Sequence, residues 1–415
     1  MLKKTMVENH MPTNTFVPEQ DPFLDLPVFP PDEILNLAER YKNDPRKSKK
    51  NCSLGIYVNQ DGKVVQPQVF REIDTKLAQI EYLPIDGEDK FLQLTNEVFL
   101  NGLYHPCAQT LGSSYGLRLA LEFLFRFAGI TQAIVQTPAW PNYLGILDAI
   151  GYSVKKLDYL NENGNADITQ LLEVLSQIRK PVCVIFQVGC HNPTGVDLSP
   201  QQIKELNDFI LRHYPKVMLI ADFCYAGFRP LNLDLEVLKL LSVPHFLSFS
   251  YSKNAGLYSR RTGGLYFIGP TDHLDRITGC LRKIIRSTYS SPPIDGAYMV
   301  TQVLSNPEMK SRWFEELASY RERLTSLRQA FSQAFGDPLS GIIKNQNGLF
   351  SFIHKSFLRE ELRESKKAQE LLIERHGIYT VQLEDGLRIN LAGLKDPNSA
   401  SEFGLLLNDQ IVRPI

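Results

Sequence analysis

A lysine set among small residues is the first feature of this chain with chemical potential. The segment SFSYSKNAGLYSRRTGGLYF presents Lys253 in a loop just after an apolar run. An amine attacks a carbonyl only after losing its proton, and burial beside other cations such as Arg261 favours that loss near neutral pH. A solvated surface lysine is the plainer account, and one lysine in a loop does not exclude it. Two further segments narrow the choice. HNPTG, at His191 to Gly195, follows one predicted strand, and ADFCYAGF, at Ala221 to Phe228, follows the next. If these strands are parallel neighbours, the three segments converge beyond their carboxyl ends, where ligands of such sheets bind. Each is weak alone, because NPTG is a good turn and Asp222 a good helix cap. In this order they bring together an amine, a carboxylate, an amide and a phenol: Lys253, Asp222, Asn192 and Tyr225.

Anion-binding groups accompany them. LGSSYGLRLALEFLF, from Leu111 to Phe125, places a small-residue turn before an apolar helix, and helix amino termini bind phosphate through free N–H groups. A plain capping turn explains GSSYG equally well. Arg388 sits in the strand pattern GLRINLAG, where an arginine is costly to bury without a partner. Arg286, in IIRSTYSSPP, is a second planar fork suited to a carboxylate, with a surface ion pair as its rival. The eight histidines show no HxxxH or HxH spacing, so a metal-dependent enzyme has little support.

These groups need a scaffold. The chain has 415 residues, 43% of them hydrophobic, enough for one large core and a smaller second one. Short apolar runs alternate with amphipathic segments, which predicts a sheet with helices on its faces. AIVQT, VCVIFQV, VMLIAD, HFLSFS and GGLYFIG read as mostly parallel central strands. Helices are predicted over Ile168 to Ile178 and Ser199 to Tyr214, the latter opening with a capping Ser199 and Pro200 in its first turn. Asn306 to Phe335 reads as one long connecting helix and the domain junction. Beyond it, IIKNQNGLFSFI and GLRINLAGL read as strands around a helix at Arg359 to His376, a smaller α/β unit. No internal repeat or low-complexity tract is present.

Lys plus Arg total 45 and Asp plus Glu 46, and this balance gives no field for nucleic acid or an anionic membrane surface. A small-molecule partner is expected. Six cysteines without a CxxC pair read as reduced, cytosolic thiols, and no run is long enough to span a membrane. Met1 to Phe16 lacks the apolar core of an export signal and reads as a polar arm.

From about Leu54 to Gly393 the chain resembles the aspartate and aromatic aminotransferases, fold-type I pyridoxal-phosphate enzymes. The resemblance implies an α/β fold, a mostly parallel central sheet with helices on both faces plus a smaller α/β domain. It implies an arm and part of the small domain over 1–59, a large cofactor-binding domain over 60–325 and the rest of the small domain over 326–415. Lys253 is then the lysine that holds pyridoxal 5′-phosphate through an imine and later shuttles the substrate's α-proton. Asp222 binds the pyridinium nitrogen, keeping it protonated, and Tyr225 and Asn192 donate to the phenolic oxygen. Ser113, Ser114, Tyr115, Ser250, Ser252 and Arg261 match the phosphate cup, and Tyr82, in EYLPIDG, matches a tyrosine that reaches the phosphate from the neighbouring subunit. Trp140 matches the aromatic stacked on the cofactor ring. Among the substrate-binding positions are Gly55, Trp140 and Asn192, with Arg388 for the α-carboxylate. Arg286, with Ser290 nearby, crosses the interface to a distal carboxylate.

The implied protein is a cytoplasmic homodimer with shared active sites, exchanging amino groups between aspartate and 2-oxoglutarate, or using tyrosine and phenylalanine. A β-lyase or decarboxylase of the same fold, and a non-catalytic module keeping only the fold, are the rivals. The sequence also departs from the pattern. Tyr143 stands where a histidine usually supports the aspartate, Ser114 and Tyr115 stand where Gly and then Ser or Thr are usual, and Phe223 and Cys224 flank the aspartate and tyrosine unusually.

Overall fold

The computed structural model describes residues 26–27, 33–77 and 81–414; the arm expected at Met1 to Phe16 lies outside them. Seven strands form the central sheet: β1 (His105–Thr110), β2 (Gln132–Thr137), β3 (Ser153–Asp158), β4 (Val182–Gln187), β5 (Val217–Phe223), β6 (His245–Ser250) and β7 (Gly263–Ile268). Their order is β1-β7-β6-β5-β4-β2-β3, and β7 alone runs antiparallel to its neighbours. The alternation along each strand explains why both faces are covered. Val184 and Leu219 face one core with the helix α2 (Pro200–His213), whereas Cys183, Ile185 and Ile220 face another. The second face is covered by α1 (Ser113–Phe127) and α3 (Leu274–Thr288).

Two strands escape the sequence pattern because they are the sheet's edges. β1 contains Pro106, and β3 is SVKKLD, with Lys155 and Lys156 exposed. Edges tolerate both features, which a buried strand does not. The cap on α2 is as expected: Ser199 Oγ accepts from the Gln202 N–H at 3.2 Å, and the Gln202 side chain accepts from the Ser199 N–H at 2.9 Å.

The connecting helix α4 (Pro307–Ser332) carries Trp313 and Leu317 into the sheet's core and Leu324, Leu327 and Phe331 into a separate one. That second core belongs to a three-stranded antiparallel sheet of β8 (Phe350–His354), β9 (Val381–Leu383) and β10 (Gly386–Asn390), in the order β9-β10-β8. The run IIKNQNGLFSFI is not all strand. Its Ile342 to Lys344 end the helix Leu339–Lys344, and the strand begins only at Phe350. Likewise the helix expected from Arg359 starts at Lys367, after the short turn Glu360–Leu362, and Leu391–Gly393 turns away from β10. Lys50–Asn51 pair in parallel with Ile378–Tyr379, so the early chain joins this smaller unit. Among the described residues no helix is long and apolar enough to cross a membrane.

Candidate active site

Parallel pairing in register sets the site's floor. Gln187, Asp222 and Ser248 lie abreast at the ends of β4, β5 and β6. The turns that follow carry Asn192, Tyr225 and Lys253 into a cavity of about 350 Å³. Asp222 is buried, and burial pushes its carboxyl above the usual range. Three donors oppose that push. Ser113 Oγ donates to Oδ1 and Tyr143 OH to Oδ2, both at 2.7 Å, and the Cys224 thiol also bonds it. Tyr143 thus occupies the supporting place that the sequence left open.

Lys253 Nζ donates to the Gly55 carbonyl and lies 5.9 Å from the Tyr225 ring centroid and 5.4 Å from that of Tyr258. Burial, with Arg388 and Arg261 nearby, brings the amine down to about 8. It is therefore a usable nucleophile near neutral pH. Tyr225 is pushed up by burial and pulled back by Arg388, so its phenol stays a donor. Asn192 Nδ2 reaches Tyr225 OH at 3.5 Å.

The anion-binding end is built on the start of α1. Gly112 precedes it at φ 76°, and a Cβ there would lie 2.8 Å from Arg261 Nη2. Arg261 donates to Ser252 Oγ at 3.3 Å and to the Leu111 carbonyl at 3.0 Å. Ser250 donates to Ser252 at 3.0 Å, and Ser113 and Ser114 line the same end. Asp222 takes the Ser113 hydroxyl, and the Ser114, Ser250 and Ser252 hydroxyls, the N–H groups at the helix start and the Arg261 guanidinium together suit a phosphate. At the opposite wall, buried Arg388 lies 4.7 Å from the Phe350 ring centroid and donates to Asn192 Oδ1 at 3.2 Å. Its Nε is buried and unpartnered, which leaves a fixed cation with a donor to spare. Trp140 also lines the cavity and packs edge-on against Tyr143. The donors present therefore fit a phosphorylated pyridine aldehyde and an acid substrate.

The family model for aminotransferase class I and II matches residues 53–400. The chain belongs to this family. It is a pyridoxal-phosphate-dependent transaminase. It is 31% identical to the aspartate aminotransferase of Escherichia coli K12 over 400 residues, 91% of this chain and 97% of the relative. It is 30% identical to the aromatic-amino-acid aminotransferase of the same organism over 399 residues, again 91% and 97%. Among solved structures, an aromatic amino acid aminotransferase from Burkholderia cenocepacia J2315 superposes with a TM-score of 0.82 at 30% identity, covering 94% of this chain and 99% of that one. The Burkholderia pseudomallei aromatic-amino-acid aminotransferase, covalently bound to pyridoxal phosphate, gives 0.82 at 26% identity, with the same coverage.

Not every expected site residue of this aminotransferase reaches the cavity. Tyr115 turns its ring onto Tyr289 and shares a 2.6 Å hydrogen bond with Thr288, because two residues along a helix rotate it away from Ser113. Tyr82 is 91% exposed. Arg286 and Ser290 bond each other at the outer end of α3, and the Arg286 side chain is exposed. Conversely, Gln187, Cys224, Tyr258, Ile34, Leu54 and Ile56 line the cavity without having been singled out as site residues. Gln187 had a signal, a lone amide closing an apolar strand. It accepts from the Asn192 N–H at 3.1 Å and donates to the Cys190 carbonyl at 3.0 Å, fixing the turn. The three aliphatics had none, since only the fold carries them there.

Proposed function

We propose that this aminotransferase takes aspartate and 2-oxoglutarate as its preferred pair, in a ping-pong cycle run by Lys253. What carries the reading is the arrangement of Lys253 and Asp222 on one floor with the half-satisfied Arg388 opposite. Bound pyridoxal phosphate supplies an aldehyde for the amine and a cationic ring that accepts electron density from the substrate's α-carbon. Lys253 would hold that aldehyde, with Asp222 keeping the proton on the ring nitrogen and Tyr225 and Asn192 donating to the phenolic oxygen. Ser113, Ser114, Ser250, Ser252 and Arg261 would hold the phosphate. Arg388 would grip the α-carboxylate. Lys253, with its amine free, would also serve as the base that takes and returns the substrate's α-proton.

Arg286 and Tyr82 fit this reading as residues of a homodimer, each serving the cavity of the other protomer. The division into domains at 59/60 and 325/326, and a cytoplasmic setting for the reduced thiols, belong to the same proposal. A second reading, an aromatic aminotransferase, draws on the apolar residues among the cavity's lining, Ile34, Leu54, Ile56 and Trp140.

The comparison of kcat/KM for L-aspartate and L-phenylalanine separates the two. Arg286→Ala should lower the aspartate value by about 100-fold, the loss of about 3 kcal/mol in charged hydrogen bonds, and leave phenylalanine nearly unchanged. An aspartate rate untouched by the substitution overturns the dicarboxylate reading. Borohydride reduction and peptide mapping must leave the cofactor on Lys253.

A further inference from the structure

Arg388 and Asn390 stand two residues apart on β10, so both side chains emerge on one face. Facing them, Ser53 to Ile56 forms a strap along the cavity, which Leu54, Gly55 and Ile56 help to line. The strap's four carbonyls are taken alternately. Ser53 O accepts from Arg388 Nη2 at 2.5 Å and Gly55 O from Lys253 Nζ. Leu54 O and Ile56 O both accept from Asn390 Nδ2, at 2.6 and 2.8 Å.

The two kinds of donor differ in what the reaction asks of them. Lys253 gives up N–H bonds when its nitrogen joins a carbonyl carbon, and Arg388 is drawn toward a carboxylate when substrate arrives. Gly55 O therefore loses its donor, and Ser53 O must share its donor with the carboxylate, just when the cavity must be closed to water. Asn390 is not consumed in this way. Its Oδ1 accepts from the Ala392 N–H at 3.0 Å, which commits its NH2 group to the strap, and the residue is 1% exposed. The strap's ends are tied as well, and the Ile56 carbonyl that Asn390 holds shares one peptide plane with the Tyr57 N–H. The Cys52 carbonyl accepts from the Asn390 N–H at 2.8 Å, and the Tyr57 N–H donates to the Tyr258 hydroxyl at 3.2 Å.

We propose that Asn390 is a positioning residue that holds the strap over the site while Lys253 and Arg388 are engaged elsewhere. The inference rests on the roles given above to those two residues. Its test follows the Tyr57 amide by hydrogen exchange in the apo-protein, after pyridoxal phosphate, and after L-aspartate or L-phenylalanine is added. In the wild type, protection should persist through all three states. Asn390→Asp keeps the acceptor for Ala392 but turns an oxygen toward the two strap carbonyls. With cofactor and amino acid present, its Tyr57 amide should exchange about tenfold faster or more, and KM should rise about as much while the cofactor absorbance is retained.

Wild-type exchange and KM in Asn390→Asp overturn the proposal, as does a uniform loss of protection across β8, β9 and β10, which would mark a role in the fold. Should the variant not fold, the wild type still decides. A Tyr57 amide that loses protection on ligand binding shows that Asn390 does not hold the strap. Lost protection with near-visible cofactor absorbance present overturns this inference alone, whereas no such absorbance overturns the assignment of Lys253 as well.

Discussion

At the scale of single residues, the site works by setting two proton affinities. Burial and neighbouring cations bring the Lys253 amine down to about 8 from 10.5. The rate at which apo-enzyme condenses with pyridoxal phosphate should then climb with pH and level off above about 8, as stopped-flow absorbance would record. A midpoint near the ordinary lysine value would sink this. The sign for stability follows. The folded state disfavours the ammonium, so between the folded and unfolded values the unfolded chain binds more protons, and the cost of burying Lys253 shrinks as pH rises. Asp222 is the second case. Its burial penalty is offset by hydroxyls from Ser113 and Tyr143 at 2.7 Å each. Tyr143→Phe removes one charge-assisted bond, worth about 1.5–3 kcal/mol, and should weaken pyridoxal phosphate binding by about tenfold or more. Spectrophotometric titration with an unchanged Kd would show that Ser113 and Cys224 suffice.

Elements decide which of these residues meet, and they also decide what a sequence can disclose. Lys253, Asp222 and Asn192 were legible because each follows a buried parallel strand whose apolar run is short and unmistakable. The helix start at Ser113 was legible as a small-residue turn before an apolar face. Tyr115 was not, since one side chain's direction depends on the helix's rotation about its axis. Leu54 and Ile56 were beyond reach, because they enter the site through tertiary pairing of Lys50–Asn51 with a segment over three hundred residues away in the chain. Edge strands β1 and β3 were missed for want of a buried pattern. The turn before α1 carries the sharpest prediction at this scale. Gly112 sits at φ 76° and ψ 179° against Arg261, so Gly112→Ala adds about 1–3 kcal/mol of backbone strain and pushes the guanidinium off the phosphate end. Affinity for pyridoxal phosphate should fall by about tenfold or more while that for pyridoxal, which lacks the phosphate, barely moves. Equal losses for both ligands would place the damage elsewhere than in the phosphate cup.

For the whole molecule, the unexplained residues point outward. Tyr82 is 91% exposed, and Arg286 is exposed on α3 and does not line the cavity that its own chain builds. Neither location makes sense for a cofactor or substrate contact within one protomer, whereas the proposed twofold dimer would set each surface against its partner's site. The consequence can be measured without knowing the interface. Lys253→Ala lacks the amine and Arg286→Ala lacks the distal fork, so each variant alone should be poor with aspartate. If sites are shared, a dimer of one with the other owns one site with Lys253 from the second chain and Arg286 from the first, and one site with neither. Random pairing makes half of all dimers mixed, so co-refolding equal amounts should restore about a quarter of the wild-type aspartate activity. If each protomer supplies its own Arg286, the same mixing restores nothing, because every site with an intact lysine then keeps the defective fork.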